Sequence, residues 1–62
     1  MNYAKLINKY RRKMCITQKE FADMLHVGFV TVSRWERGIF EPTLKMKKRI
    51  KKLLFKAGLL EE

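Results

Sequence analysis

Sixty-two residues are expected to form one small domain spanning 1–62, since a chain this short buries only about 60% of the surface its unfolded form exposes. An apolar fraction of 47% argues against intrinsic disorder despite 34% charged residues, and fifteen Lys plus Arg against six Asp plus Glu leave a net charge of +9 that points to a polyanionic partner. The single cysteine, Cys15, and single histidine, His26, exclude an intramolecular disulfide and a four-ligand zinc site, while no apolar run exceeds three residues, far short of the roughly 20 that span a bilayer.

Lys5 and Lys9 interrupt the apolar pattern near the N-terminus, so no secretory signal core is expected and the chain reads as soluble and cytoplasmic. With no paired carboxylates, Ser/His/Asp set or glycine-rich phosphate loop, it is expected not to be an enzyme and to need no cofactor, metal or small-molecule ligand.

Three glycines and one proline punctuate the chain, and no linker-like segment or internal repeat is present, so the fold class is all-α, helices joined by short turns. Tyr3, Leu6, Ile7 and Tyr10 share one face of a first helix with Asn2 as N-cap. Arg11, Arg12 and Lys13 suit the negative end of its dipole. Thr17-Gln18-Lys19-Glu20 is a capping box that starts a second helix, with Ile16 and Phe21 at staple spacing. Phe21, Met24 and Leu25 continue its buried face to about Leu25. His26-Val27-Gly28 breaks the pattern, and a third helix follows over Val30 to Glu36, ending near Gly38. Glu41-Pro42-Thr43 opens a fourth, with Thr43 as a cap, a stripe of Met46, Ile50, Leu53, Leu54 and Ala57, and Gly58 as its stop.

The opposite face of the fourth helix carries Lys45, Lys47, Lys48, Arg49, Lys51, Lys52 and Lys56 with no acid among them. Such a face can approach phosphates, lie on an anionic membrane or simply be solvated, though membrane binding would need the apolar stripe that the core requires. Leu59 and Leu60 either fold back on the core or meet a second chain, and Glu61 and Glu62 are expected in solvent.

Two short helices joined by a three- to four-residue turn, the second followed by glycine, form a helix-turn-helix unit at about residues 17–37. An α-helix fits the roughly 12 Å major groove of B-DNA, so the second helix of such a pair can present side chains to base edges while the first crosses the backbone.

The ordered series Thr17-Gln18-x-Glu20-x-Ala22, Val27, Thr31-Val32-Ser33-Arg34-Trp35-Glu36-x-Gly38 and Pro42 resembles the Cro/phage-repressor-like helix-turn-helix family, also called the xenobiotic-response-element family, across residues 6–55. The resemblance implies a compact, lambda-repressor-like bundle of four or five helices in which residues 18–25 and 29–36 form the DNA-reading pair. It implies that Gln18 anchors a phosphate, which the unpaired N–H groups of a helix start also favour, and that Phe29, Val30 and Arg34 face base edges. Thr17, Thr31 and Ser33 fall at the margin of that surface. Arg37, and the amides around Gly38 and Ile39, are phosphate-contact candidates. Glu36 pairs in the family with an arginine of the first helix, and Arg11 stands at the matching position, so this pair is assigned to structure.

Arg34 has the chemistry for a bidentate contact to guanine O6 and N7, worth about 1–3 kcal/mol of discrimination. Phe29 and Val30 offer no hydrogen bonds and would read thymine methyl groups, exclude water, or pack in a core or dimer contact instead. Val32 and Trp35, on the opposite face, are core candidates. The chain departs from the family pattern where Gly28 replaces a side-chain cap, where His26 replaces a turn glycine and so invites backbone strain, and where Phe29 and Val30 replace polar reading residues. His26 and Cys15 are read as turn and core residues.

The sequence therefore points to a sequence-specific double-stranded DNA binder, a small bacterial or phage regulator that occupies an operator in the manner of a repressor. A C2 homodimer on a palindrome is the natural design, with Ile39, Phe40, Phe55, Leu59 and Leu60 as contact candidates. The alternatives are a protein-interaction module, antitoxin-like or adaptor, and a non-specific architectural DNA binder.

Overall fold

The computed structural model describes residues 2–60, and the expectation for Glu61 and Glu62 lies outside them. Four helices appear among the described residues, α1 (Tyr3–Met14), α2 (Gln18–Leu25), α3 (Phe29–Glu36) and α4 (Leu44–Lys56), with no strand. They pack into a body of 29 × 24 × 19 Å.

Each helix start follows from local chemistry. Asn2 Oδ1 accepts from the Lys5 amide at 3.1 Å, and Thr43 Oγ1 accepts from the Met46 amide at 3.3 Å. At α2 both halves of the capping box form: Glu20 N–H donates to Thr17 Oγ1 at 3.1 Å and Thr17 N–H donates to Glu20 Oε1 at 2.9 Å. Only α3 lacks a side-chain cap, because Gly28 has none to offer.

All four helices end the same way, with the 6→1 and 5→2 backbone bonds of a Schellman motif around one left-handed residue. Ile16 N–H reaches Arg11 O at 3.0 Å, Val27 N–H reaches Ala22 O at 3.0 Å, Ile39 N–H reaches Arg34 O at 3.0 Å and Leu59 N–H reaches Leu54 O at 2.9 Å. The left-handed residue is Gly38 (φ 76°) after α3 and Gly58 (φ 75°) after α4, but Cys15 (φ 57°) after α1 and His26 (φ 58°) after α2. A Cβ in that conformation is strained. The strain expected at His26 is therefore present. Cys15 departs from its assignment to the core: it is an exposed helix-ending residue, because its backbone is needed to stop α1.

Ile7, Phe21, Val32, Ile50 and Leu54 form the fully buried centre, so every helix contributes to it. Tyr10 packs on Phe21 with ring centroids 5.6 Å apart and planes tilted by 59°, an edge-biased geometry favoured by ring quadrupoles. Val32 and Trp35 are buried as the spacing predicts, and Pro42 is buried in the chain's turn toward α4. Leu59 and Leu60 fold back and pack against the core. Met24 differs from the expectation of a buried face and is 43% exposed. With Phe21, Ala22 and Leu25 filling the contact side of a two-turn helix, the side chain at 24 falls beyond its edge.

Candidate nucleic-acid interface

The relation of α3 to the rest of the fold is set by one carboxylate. Arg11 clamps Glu36 with both edges of its fork, Nε to Oε2 at 2.6 Å and Nη2 to Oε1 at 2.8 Å, while Asn8 Nδ2 adds a bond to Oε1 at 3.1 Å. The two charged side chains are only 18% and 7% exposed. A third Arg11 nitrogen, Nη1, donates to the Ile16 carbonyl at 3.2 Å, so the same guanidinium ties α1, the α1–α2 turn and α3 together. Burial pushes the Glu36 carboxyl up, but hydrogen bonds from Arg11 and Asn8, the Arg11 charge and a further bond from Gln18 outweigh it and hold the group below its ordinary value. The hydrogen bond to Glu36, against the effect of burial, holds Arg11 above its own.

The α2–α3 unit is fixed at its turn by the Val27 bond to Ala22 and by Val27 packing against the core. Arg49 of α4 donates to the Leu25 carbonyl at 3.2 Å, bracing the end of α2.

With Val32 and Trp35 turned inward, Phe29, Val30, Ser33, Arg34 and Arg37 lie along the other side of α3 at helical spacing. Phe29 is 50% and Val30 52% exposed, so neither packs in the core of the single chain. Arg34 is exposed, and its guanidinium lies 5.6 Å from the centroid of the Phe40 ring, itself 57% exposed. Arg34 forms no salt bridge among the described residues, and its donors remain free for an outside acceptor. Exposed Arg37 touches the Ser33 carbonyl through Nε at 3.4 Å. Thr31 and Ser33 are half-buried at the flank. Thr17 is exposed at the start of α2; its oxygen accepts the capping bond, leaving the hydroxyl proton free to donate. Gln18 is half-buried at the first position of α2.

The cations of α4 divide into two groups. Lys45, Lys48, Lys51, Lys52 and Lys56 are exposed. Lys47 instead meets Glu41 at 3.3 Å and lies 5.3 Å from the Tyr3 ring centroid, and Arg49 is spent on Leu25. Lys13 of α1 donates to the Ala57 carbonyl at the far end of α4. The sequence reading passed over Asn8 as a partner of Glu36, and it took Phe40 as a dimer-contact candidate rather than as a neighbour of Arg34. Asn8 had a signal, its i, i+3 spacing to Arg11 on one face of α1. Phe40 lies in an irregular segment where no periodicity marks its neighbours. Among the described residues no helix is long and apolar enough to cross a membrane.

Comparison with known proteins gives two findings. The family model described as Helix-turn-helix matches residues 7–56. The type II methyltransferase M.SsoII of Shigella sonnei is 47% identical over 45 residues, a match covering 68% of this chain but only 12% of the methyltransferase. No solved structure matches the chain.

Proposed function

The chain belongs to the helix-turn-helix family, in its Cro/C1-type branch of DNA-binding domains, and from that footing we propose that it is a sequence-specific reader of double-stranded DNA, a cytoplasmic regulator that represses by occupying an operator. It acts by binding, with no catalytic step of its own. In this reading α3 enters the major groove, Phe29, Val30 and Arg34 meet base edges, and Thr17, Gln18, Thr31, Ser33 and Arg37 meet phosphates or the groove margin. The observation that carries it is the outward side of α3, where two half-exposed apolar side chains and an arginine with no acid partner among the described residues share one helical face. Such a face is costly to leave idle in water and matches the mixture of methyl groups and acceptors that a major groove displays.

The net charge of +9 supplies affinity through counterion release, with log K falling by about 0.9 per neutralised phosphate against log salt. Operator preference needs two half-sites, and exposed Ile39, Phe40 and Phe55 are the surfaces available to join two copies. The same exposed residues favour a second reading, a protein-interaction module of the antitoxin or adaptor kind. The Shigella relative is by name a methyltransferase, and the matched stretch is a small part of it; the proposal concerns DNA reading, not methyl transfer.

Selection of bound duplexes from a random pool at about 150 mM salt, with titration of the winner against scrambled DNA, tests the proposal. The expected result is a palindromic consensus preferred by roughly 10³-fold or more. Binding that hardly varies with sequence would instead support an architectural role, and absence of binding would support a protein partner.

A further inference from the structure

The substrate class of the reading face follows from its chemistry. This step rests on the function proposed above. Phe29 and Val30 stand at the start of α3 half exposed, and neither side chain has a hydrogen-bond donor or acceptor. In the major groove the base edges present mainly donors and acceptors, and the one bulky apolar group among them is the C5-methyl of thymine. A polar edge set against these side chains would lose water without gaining a bond. The apolar pair therefore selects for methyl and against bare polar edges.

The second half of the determinant is Arg34. It lies one turn beyond Val30 on the same side of α3, near the Phe40 ring, and no acid among the described residues pairs with it. Its forked donors suit guanine O6 and N7. Phe40 confines the long side chain before DNA arrives, so less rotamer freedom is lost on contact. Four residues of helix advance about 6 Å, close to two base steps at about 3.4 Å each. We infer that the outward face of α3 recognises a thymine methyl group within about two base steps of a guanine, with Phe29 and Val30 reading the methyl and Arg34, positioned by Phe40, reading the guanine.

Deoxyuridine tests this directly, because it lacks the methyl group and keeps every hydrogen-bonding edge of thymine. The duplex enriched from the random pool is resynthesised with each thymine replaced in turn, and affinities are compared with the unmodified duplex. At one or more thymines near a guanine, affinity should fall by about fourfold, the value of one buried methyl group. In the Phe29→Ala/Val30→Ala double variant the thymine and uracil duplexes should bind alike; both positions are half exposed, and the circular dichroism and melting of the variant establish that it is folded. Phe40→Leu should weaken preference at the guanine, and Phe40→Tyr should restore it. A site strongly preferred over scrambled DNA but indifferent to every uracil replacement overturns this inference and leaves the proposed function standing. Discrimination that survives in the double variant also overturns it. Absence of any sequence preference overturns both.

Discussion

The two sides of α3 obey opposite rules. On the inner side Val32 and Trp35 are buried and Glu36 is held by three hydrogen bonds from Arg11 and Asn8. On the outer side Phe29, Val30 and Arg34 make almost no use of the chain that carries them, apart from the approach of Arg34 to Phe40. A residue whose interactions are satisfied internally contributes to stability, and one whose interactions are left open is available for a partner. Eight residues thus hold both the hinge pin of the fold and the face proposed to read DNA, and substitutions on the two sides should separate cleanly.

The largest effect is expected on the inner side. Replacing Arg11 by Ala leaves the Glu36 carboxylate largely buried without its cation, which should lower stability by about 3 kcal/mol or more in chemical denaturation. The pair also predicts a pH dependence. The Glu36 carboxyl is held below its ordinary value of 4.5, so its contribution is present above that pH and is lost as pH falls through the lower, folded value. Glu36→Gln should therefore be less stable at neutral pH, and its stability should fall less steeply on acidification than that of the parent protein.

On the outer side, Arg34→Ala should relax preference at a single base position by about 1–3 kcal/mol while the melting curve moves by no more than about 0.5 kcal/mol in stability. A joint loss of both would mean that the two sides are not separable. The helix ends give a third contrast of smaller size. His26→Gly should stabilise the protein by about 1 kcal/mol by relieving a left-handed Cβ, and Gly38→Ala should destabilise it by about the same amount. No atom lies within 4 Å of a Cβ built at Gly38, so that loss would come from the backbone alone. The smallest effect is expected at the rim: Arg37→Ala should weaken binding to all sequences alike and reduce the salt slope by about one.

The helix starts were legible because each depends on residues within four positions of one another. The capping box at Thr17 and Glu20 and the cap at Asn2 needed nothing distant. The stripe of α4 was equally plain, with Ile50 and Leu54 at its buried centre. Cys15 was harder, since Met-Cys-Ile contains no residue that favours a left-handed backbone, yet α1 stops there, with Ile16 packed against the core. Met24 has the spacing of a core residue, but which side of α2 is used depends on where α3 docks. Lys47 and Arg49 looked like members of a uniform basic face, and their partners, Glu41 with Tyr3 and the Leu25 carbonyl, come from other segments. The exposure of Phe29, Val30 and Arg34 on the outer side of α3 was legible from its spacing, whereas Phe40, six residues on from Arg34, could be joined to it only in three dimensions.

The shared way of ending the helices bears on how quickly the molecule assembles. Each stop is closed by backbone bonds spanning at most five residues, such as Leu59 to Leu54, so every helix can define its own limits before its neighbours arrive. Few polar contacts among the described residues demand a long search: Asn8 and Arg11 with Glu36 across 28 and 25 residues, Arg49 with Leu25 across 24 and Lys13 with Ala57 across 44. Low sequence separation of this kind places folding in the range of roughly microseconds to milliseconds. The exposed side of α3 should have no part in that rate, leaving Phe29, Val30 and Arg34 free to vary without slowing the birth of the fold.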